Sequence, residues 1–274
     1  MKPETRIARL FENLKRQERK GLIAFLTAGD PAPDRTPALV EALERGGADL
    51  IELGVPFSDP IADGPVIQRA GQRALAAGTT LHKVLDIARQ IRSRSEIPLL
   101  LFTYLNPVVR YGLDALARDA EACGIDGCLL TDASVEEAGE YVDAMRKHNL
   151  DTVFLAAPTS TERRLRLVAH YSTGFIYLVS RTGVTGVRES LSGAVAPLVS
   201  AMRAVTDLPL AVGFGISRPE HVEELGSQVE AVVVGSAIVR LIEQNAENAS
   251  LEIQLESFAR ELKHGFGLRA ARTT

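Results

Sequence analysis

The chain has 274 residues, 46% of them hydrophobic and 24% charged, the balance of a globular protein able to bury a large core. Lys and Arg number 31 against 35 Asp and Glu, a formal net charge of -4, so no basic excess calls for nucleic acid. With 5% aromatic residues, no tryptophan, two cysteines and no apolar run near the ~20 residues that span a bilayer, a base-stacking surface, a disulfide framework and a membrane span are all disfavoured.

In chain order, residues 6–19 form a charged amphipathic stretch and lack a signal peptide's apolar core, which predicts a cytoplasmic protein with a helix ahead of the first strand. Short runs rich in Val, Ile and Leu follow at 22–27, 50–53, 99–103, 127–130, 152–156, 175–179, 208–212 and 231–234. They are continuous rather than alternating, as parallel strands buried on both faces are. Between them lie helical patterns such as 34–45, 80–92, 134–147, 161–169, 194–204 and 219–225, several opening at candidate caps Asp34, Thr80, Ser134, Thr161 and Ser217.

Strand then helix, eight times in about 250 residues, predicts a single α/β domain: a closed (β/α)8 TIM barrel with an extra N-terminal helix. The stretch 6–19 would cover the barrel's bottom, and 251–263 would close it. An open Rossmann-like sheet is the alternative, but no strand is followed by a Gly-x-Gly-x-x-Gly turn. Cys123 and Cys128 read as reduced core thiols, and the five histidines are too scattered to predict a metal site.

Barrel enzymes carry their chemistry in the loops after the strands. After the second strand, Glu52, Asp59 and Asp63 follow closely on Asp49. Glu52 lies inside the apolar run, where an unpaired carboxylate is costly to bury. It is either a general acid–base group or a strand-end glutamate paired with a lysine or arginine. Asp59 and Asp63, each beside Pro or Gly, are turn residues or site carboxylates.

Three Gly-rich loops come later. Residues 180–186 are long enough to form a lid. Residues 213–217 and 235–237 open onto helices, where backbone N–H groups could hold a phosphate without a lysine. Each is otherwise a tight turn, but two on successive strands with serine at both helix starts favour phosphate. Asn106-Pro107 reads as a turn or a contact surface, and Tyr177 as core or substrate wall.

Glu52-Leu53-Gly54-Val55-Pro56-Phe57-Ser58-Asp59-Pro60, with Ala62-Asp63-Gly64-Pro65-Val66-Ile67-Gln68, resembles the signature of the tryptophan synthase alpha subunit family. The likeness extends in order through Thr27-Ala28-Gly29-Asp30-Pro31, Tyr104-Leu105-Asn106-Pro107, residues 180–186, 213–217 and Gly235-Ser236-Ala237-Ile238-Val239. It implies a lyase that cleaves indole-3-glycerol phosphate to indole and glyceraldehyde 3-phosphate, in the last steps of L-tryptophan biosynthesis, with no metal or organic cofactor of its own.

By that resemblance Glu52 is the general acid–base, and Asp63 accepts the indole N–H and stabilises positive charge on the ring. Phe25, Phe102 and Tyr177 would line the indole pocket. Gly186, Phe214, Gly215, Gly235 and Ser236 would hold the phosphate, while Arg181 and Thr185 belong to a lid closing on Asp63. The implied partner is a beta subunit carrying pyridoxal phosphate, in an alpha2-beta2 complex, met by Pro56, Asp59 and Asn106. Two positions depart from the family. Asp132-Ala133-Ser134 replaces a proline-containing segment, and Ala24 a first-strand proline.

The residues also admit a stand-alone indole-releasing lyase, a catalytically silent scaffold, or a sugar-phosphate isomerase or aldolase. Retention of Glu52 and Asp63 argues against the silent scaffold. Lys83 and Lys147 fall in helical stretches, so no strand-end lysine serves a Schiff-base aldolase.

Overall fold

The computed structural model describes residues 5–179, 191–213 and 215–267. A first helix, α1 (Arg6–Arg16), precedes β1 (Gly21–Thr27), α2 (Thr36–Arg45) and β2 (Leu50–Gly54). Next come α3 (Pro65–Ala76), α4 (Leu81–Arg92), β3 (Leu99–Thr103), α5 (Leu105–Tyr111), α6 (Leu113–Ala122) and β4 (Gly127–Leu130). The second half runs α7 (Gly139–Lys147), β5 (Asp151–Val153), β6 (Leu155–Ala156), α8 (Glu162–Tyr171), β7 (Ile176–Val179), α9 (Leu191–Arg203) and β8 (Leu210–Gly213). It ends with α10 (Pro219–Gly226), β9 (Ala231–Val234), α11 (Ser236–Gln244) and α12 (Leu251–His264).

All pairings are parallel, in the order β5-β4-β3-β2-β1-β9-β8-β7-β6. Only Phe154 separates β5 from β6, so these two are one stave whose first half pairs β4 and whose second half pairs β7. The ring is therefore a closed barrel of eight staves, and the predicted strand 152–156 is that interrupted stave. Phe154 turns outward between Tyr141 and Tyr171, at ring-centroid distances of 6.1 and 6.3 Å.

The period-two alternation of each strand builds two cores. Leu22, Ala24 and Leu26 of β1 face outward with Ile51, Leu53, Leu99 and Leu101 against the helices. Ile23, Leu50, Leu100, Leu129, Val153, Phe175 and Ala231 face inward and fill the lower barrel. Helix α1 plugs that end as expected. Ile7, Phe11 and Leu14 lie on one face and are buried, Phe11 stands 5.5 Å from Phe175, and the N-cap Thr5 accepts the Ala8 N–H at 3.1 Å.

Helix starts differ more than strands do. Thr80 and Thr161 cap α4 and α8, each accepting an N–H three residues on. Asp34 is not a cap, because α2 begins at Thr36, and Ser134 opens a short 3-10 turn rather than α7. Ser217 is also outside the cap: the N-cap of α10 is Arg218, and the Ser217 N–H donates to His221 Nδ1 at 3.3 Å. Helix α3 rises directly from the acidic loop, with Pro65 supplying its first turn. Cys123 and Cys128 are buried and unpaired. No described helix is long and apolar enough to cross a membrane.

Candidate active site

Above the filled layer, the inward positions Phe25, Glu52, Phe102, Leu155, Tyr177 and Val233 bound a cavity of about 590 Å³ at the C-terminal mouth of the barrel. The register sets Phe25 beside Glu52 and Tyr177 beside Ala211. Phe25 and Phe102 meet edge to face at 5.1 Å, making an apolar wall. The Tyr177 ring leans over β8, where a Cβ at Gly213 would lie 2.1 Å from its hydroxyl oxygen. Glycine at 213 is thus explained by the tyrosine it admits.

Glu52 is 1% exposed, and its Oε1 has no hydrogen-bond partner among the described residues. Burial alone pushes its carboxyl up to about 8. Among the described residues no lysine or arginine neutralises this group, as the strand-end alternative would need, and with a value of about 8 it carries a proton at neutral pH. Tyr177 is held in its neutral form by desolvation and then by the nearby Glu52 carboxyl.

Asp63 comes to the same cavity by a different route, on the loop between β2 and α3. Its N–H donates to Pro60 O at 3.1 Å, and Gln68 Nε2 donates to its carbonyl at 2.9 Å, so α3 grips the loop that precedes it. Burial raises the carboxyl to about 6, opposed by a hydrogen bond from the Tyr104 hydroxyl. That hydroxyl also accepts the Ala62 N–H at 3.0 Å, and the Tyr104 ring packs at a tilt of 34° against Phe57, 5.1 Å between centroids. Tyr104 is 3% exposed and orients Asp63, a role that only its position just past β3 signals in the sequence. Asp49 leaves the site altogether. It precedes β2 and so lies at the opposite end of the barrel, where it pairs with Lys263.

At the other side of the cavity stand Gly213, Gly215, Ser217, Gly235 and Ser236. Gly215 has φ +66°, which by itself accounts for glycine. Gly235 is different. Its φ is -117°, open to any residue, and a Cβ there would come no nearer than 3.5 Å to Phe25. Neither backbone nor packing demands glycine at 235, which leaves the free space over the α11 N-terminus as its visible consequence. Arg181, Thr185, Gly186 and Phe214 lie outside the described residues.

Of the expected partner contacts, Asp59 and Asn106 are exposed, whereas Pro56 is buried and lines an inner pocket with Phe25 and Tyr104. Asn106 sits on α5, whose first N–H, from Leu105, is capped by Asp132 Oδ1 at 2.7 Å. The proline-free segment at 132–134 is thereby tied to the helix carrying Asn106, with Val135 buried just beyond it.

A parallel barrel holding a proton on a buried glutamic acid, with a second carboxylate across an apolar-walled mouth, belongs to the acid–base enzymes of the (β/α)8 class. Known proteins narrow the class. A family model for the tryptophan synthase alpha chain matches residues 11–266. The tryptophan synthase alpha chain of Solibacter usitatus (strain Ellin6076) is 80% identical over 97% of this chain and 100% of its own length. The crystal structure of tryptophan synthase subunit alpha from Legionella pneumophila str. Paris is similar at a TM-score of 0.89 and 35% identity, covering 96% of this chain and 98% of that one. A structure of the tryptophan synthase a2b2 complex from Pyrococcus furiosus is similar at a TM-score of 0.82 and 40% identity, covering 88% and 97%. The chain belongs to the tryptophan synthase alpha chain family. Its activity is that family's alpha reaction, the lyase cleavage of indole-3-glycerol phosphate in tryptophan biosynthesis.

Proposed function

We propose that Glu52 runs this retro-aldol cleavage as a proton shuttle. The neutral Glu52 carboxyl donates its proton to indole C3, leaving a positive charge on the ring that the Asp63 carboxylate stabilises through the indole N–H. The Glu52 carboxylate then takes the C3′ hydroxyl proton as the C3–C3′ bond breaks, giving indole and glyceraldehyde 3-phosphate. The proton taken from the hydroxyl replaces the one Glu52 gave to indole C3, so Glu52 returns to its starting form and no metal or organic cofactor enters the balance. Phe25, Phe102 and Tyr177 hold the indole, and Gly215, Gly235 and Ser236 offer N–H groups to the phosphate.

The observation that carries this reading is the buried Glu52, whose Oε1 has no partner among the described residues and whose carboxyl is pushed up by burial to about 8. A shuttle must begin protonated and have no competing partner. Glu52→Gln should lower indole release by about 10³-fold or more, with substrate still bound. Substantial residual turnover would remove Glu52 from the mechanism.

The same reading takes the chain as a cytoplasmic alpha subunit working with a beta subunit that carries pyridoxal phosphate, in an alpha2-beta2 complex. Exposed Asp59, Asn106, Ile61 at 80% and Val109 at 61% lie on loops and helices following β2 and β3, a mixed polar and apolar face suited to a protein partner. Co-elution with a beta subunit and a faster alpha reaction in its presence test the assembly; neither effect would leave a stand-alone lyase.

A further inference from the structure

The reaction brings a phosphate dianion into a cavity that already carries two acidic side chains, Glu52 and Asp63. Backbone amides at the α11 N-terminus offer only a partial charge, roughly half a unit for a whole helix. Among the described residues lining the cavity, Arg240 is the one cationic side chain. It lies on α11 four residues beyond Ser236, so the two share a helix face about 6 Å apart along the axis.

The company around Arg240 leaves its charge uncommitted. Glu243, three residues on, is the natural ion-pair partner on the same helix. Glu243 instead accepts Arg69 Nε at 2.7 Å, Arg69 Nη2 at 2.8 Å and Arg73 Nη1 at 2.8 Å, and these bonds pull its carboxyl down to about 2. Arg73 completes the chain with two bonds to buried Asp30, at 2.8 and 2.9 Å. Two arginines of α3 thus occupy the acids of the α3–α11 seam. Arg240 is exposed and has no hydrogen-bond or ion-pair partner among the described residues. An unpaired surface arginine is ordinary by itself. One that lines the substrate cavity, a single turn from the Ser236 amide, is placed to act on an anion.

We propose that Arg240 is a substrate-binding residue for the alpha reaction, whose guanidinium draws the substrate's phosphate dianion to the N–H groups of Gly235 and Ser236 and supplies the full positive charge those amides lack. The planar fork of a guanidinium suits phosphate oxygens, and its charge offsets the carboxylate field of the cavity. This inference rests on the reading of the Gly235–Ser236 end as the phosphate site.

Steady-state cleavage by Arg240→Gln, Arg240→Lys and Gly235→Asp, at low and high ionic strength, tests both readings separately, with glycerol 3-phosphate and indole as competing probes. Arg240→Gln should raise KM and weaken inhibition by glycerol 3-phosphate by about tenfold at low ionic strength, and by less at high. Inhibition by indole, which lacks the phosphate, should not change, and Arg240→Lys should restore part of the loss. Gly235→Asp, which sets a carboxylate at the α11 N-terminus, should weaken phosphate-bearing ligands at every ionic strength. If Arg240→Gln matches the parent while Gly235→Asp loses affinity, the phosphate site stands and the role of Arg240 is overturned. If neither variant changes KM or glycerol 3-phosphate inhibition, the phosphate site itself is overturned, and the inference with it.

Discussion

The acids at the bottom of the barrel and Glu52 at its top are all deeply buried yet are treated in opposite ways. Asp30, also beyond a strand's top end, is nonetheless held by Arg73. At the bottom, Asp126 and Asp151 are each 5% exposed. Asp126 accepts the Leu99 N–H at 2.8 Å, Arg92 Nη2 at 3.0 Å and Arg6 Nη1 at 3.1 Å. Asp151 accepts the Gly174 N–H at 3.1 Å and the Thr5 hydroxyl. Burial pushes both acids up, and these donors push back. At the top, Glu52 is as buried and nothing among the described residues pushes back. The bottom uses its carboxylates to fasten α1 and the strand starts, while the top keeps one in a state that costs stability and makes a proton donor available. Partners, more than burial, separate a structural acid from a catalytic one.

The contrast breaks most visibly by exchanging what each acid loses. Glu52→Gln should abolish nearly all cleavage yet leave the unfolding midpoint unchanged or raised, because it removes an unpaired acid. Asp126→Ala should cost about 3 kcal/mol in denaturant unfolding, since Arg92 and the Leu99 N–H lose their partner, with turnover per folded molecule within about twofold of the parent. Equal activity losses in the two variants would erase the distinction.

Proton linkage sharpens the same point. On the proposed mechanism the active form needs Asp63 ionised and Glu52 protonated, so kcat/KM should fall below about 6 and again above about 8. Asp63→Asn should lose about 10²-fold in turnover and also lose the acid limb. Stability carries its own signature. Glu52 binds its proton more tightly folded, up to about 8 against an ordinary 4.5, so stability should decline as pH rises through that window. The part of that slope owed to Glu52 should vanish in Glu52→Gln. A smaller effect is expected from Tyr104→Phe: about a fivefold loss in kcat/KM, with the acid limb moved upward because the hydroxyl that lowers the Asp63 value is gone.

How much of this was legible varies with the range of the interactions involved. The strands at 99–103, 127–130 and 231–234 are read correctly to the residue, because an apolar run bounded by turn residues is a local signal. The break at Phe154 is not local: it arises where one stave must pair β4 with its first half and β7 with its second. Helix caps failed at Asp34 and Ser217 because capping depends on a backbone angle that side-chain type only biases. The resemblance implies Pro56 at the partner face, yet the loop folds it inward beside Tyr104.

For the site, the acidic loop's residues left Glu52 and Asp63 open, and only the family resemblance marked them as its two carboxylates. Sequence alone determined the eight-fold alternation and the family that the chain resembles, since periodicity and motif order are properties of the linear chain; the inward position of Glu52 came from the strand register. Only the tertiary structure decided that Glu52 has no cation beside it among the described residues, that Asp49 lies at the far end, that Tyr104 steadies Asp63, and that Arg69 and Arg73 leave Arg240 without a partner among those residues. A carboxyl's chemistry depends on what surrounds it in space, and those neighbours come from strands and helices far apart in the chain.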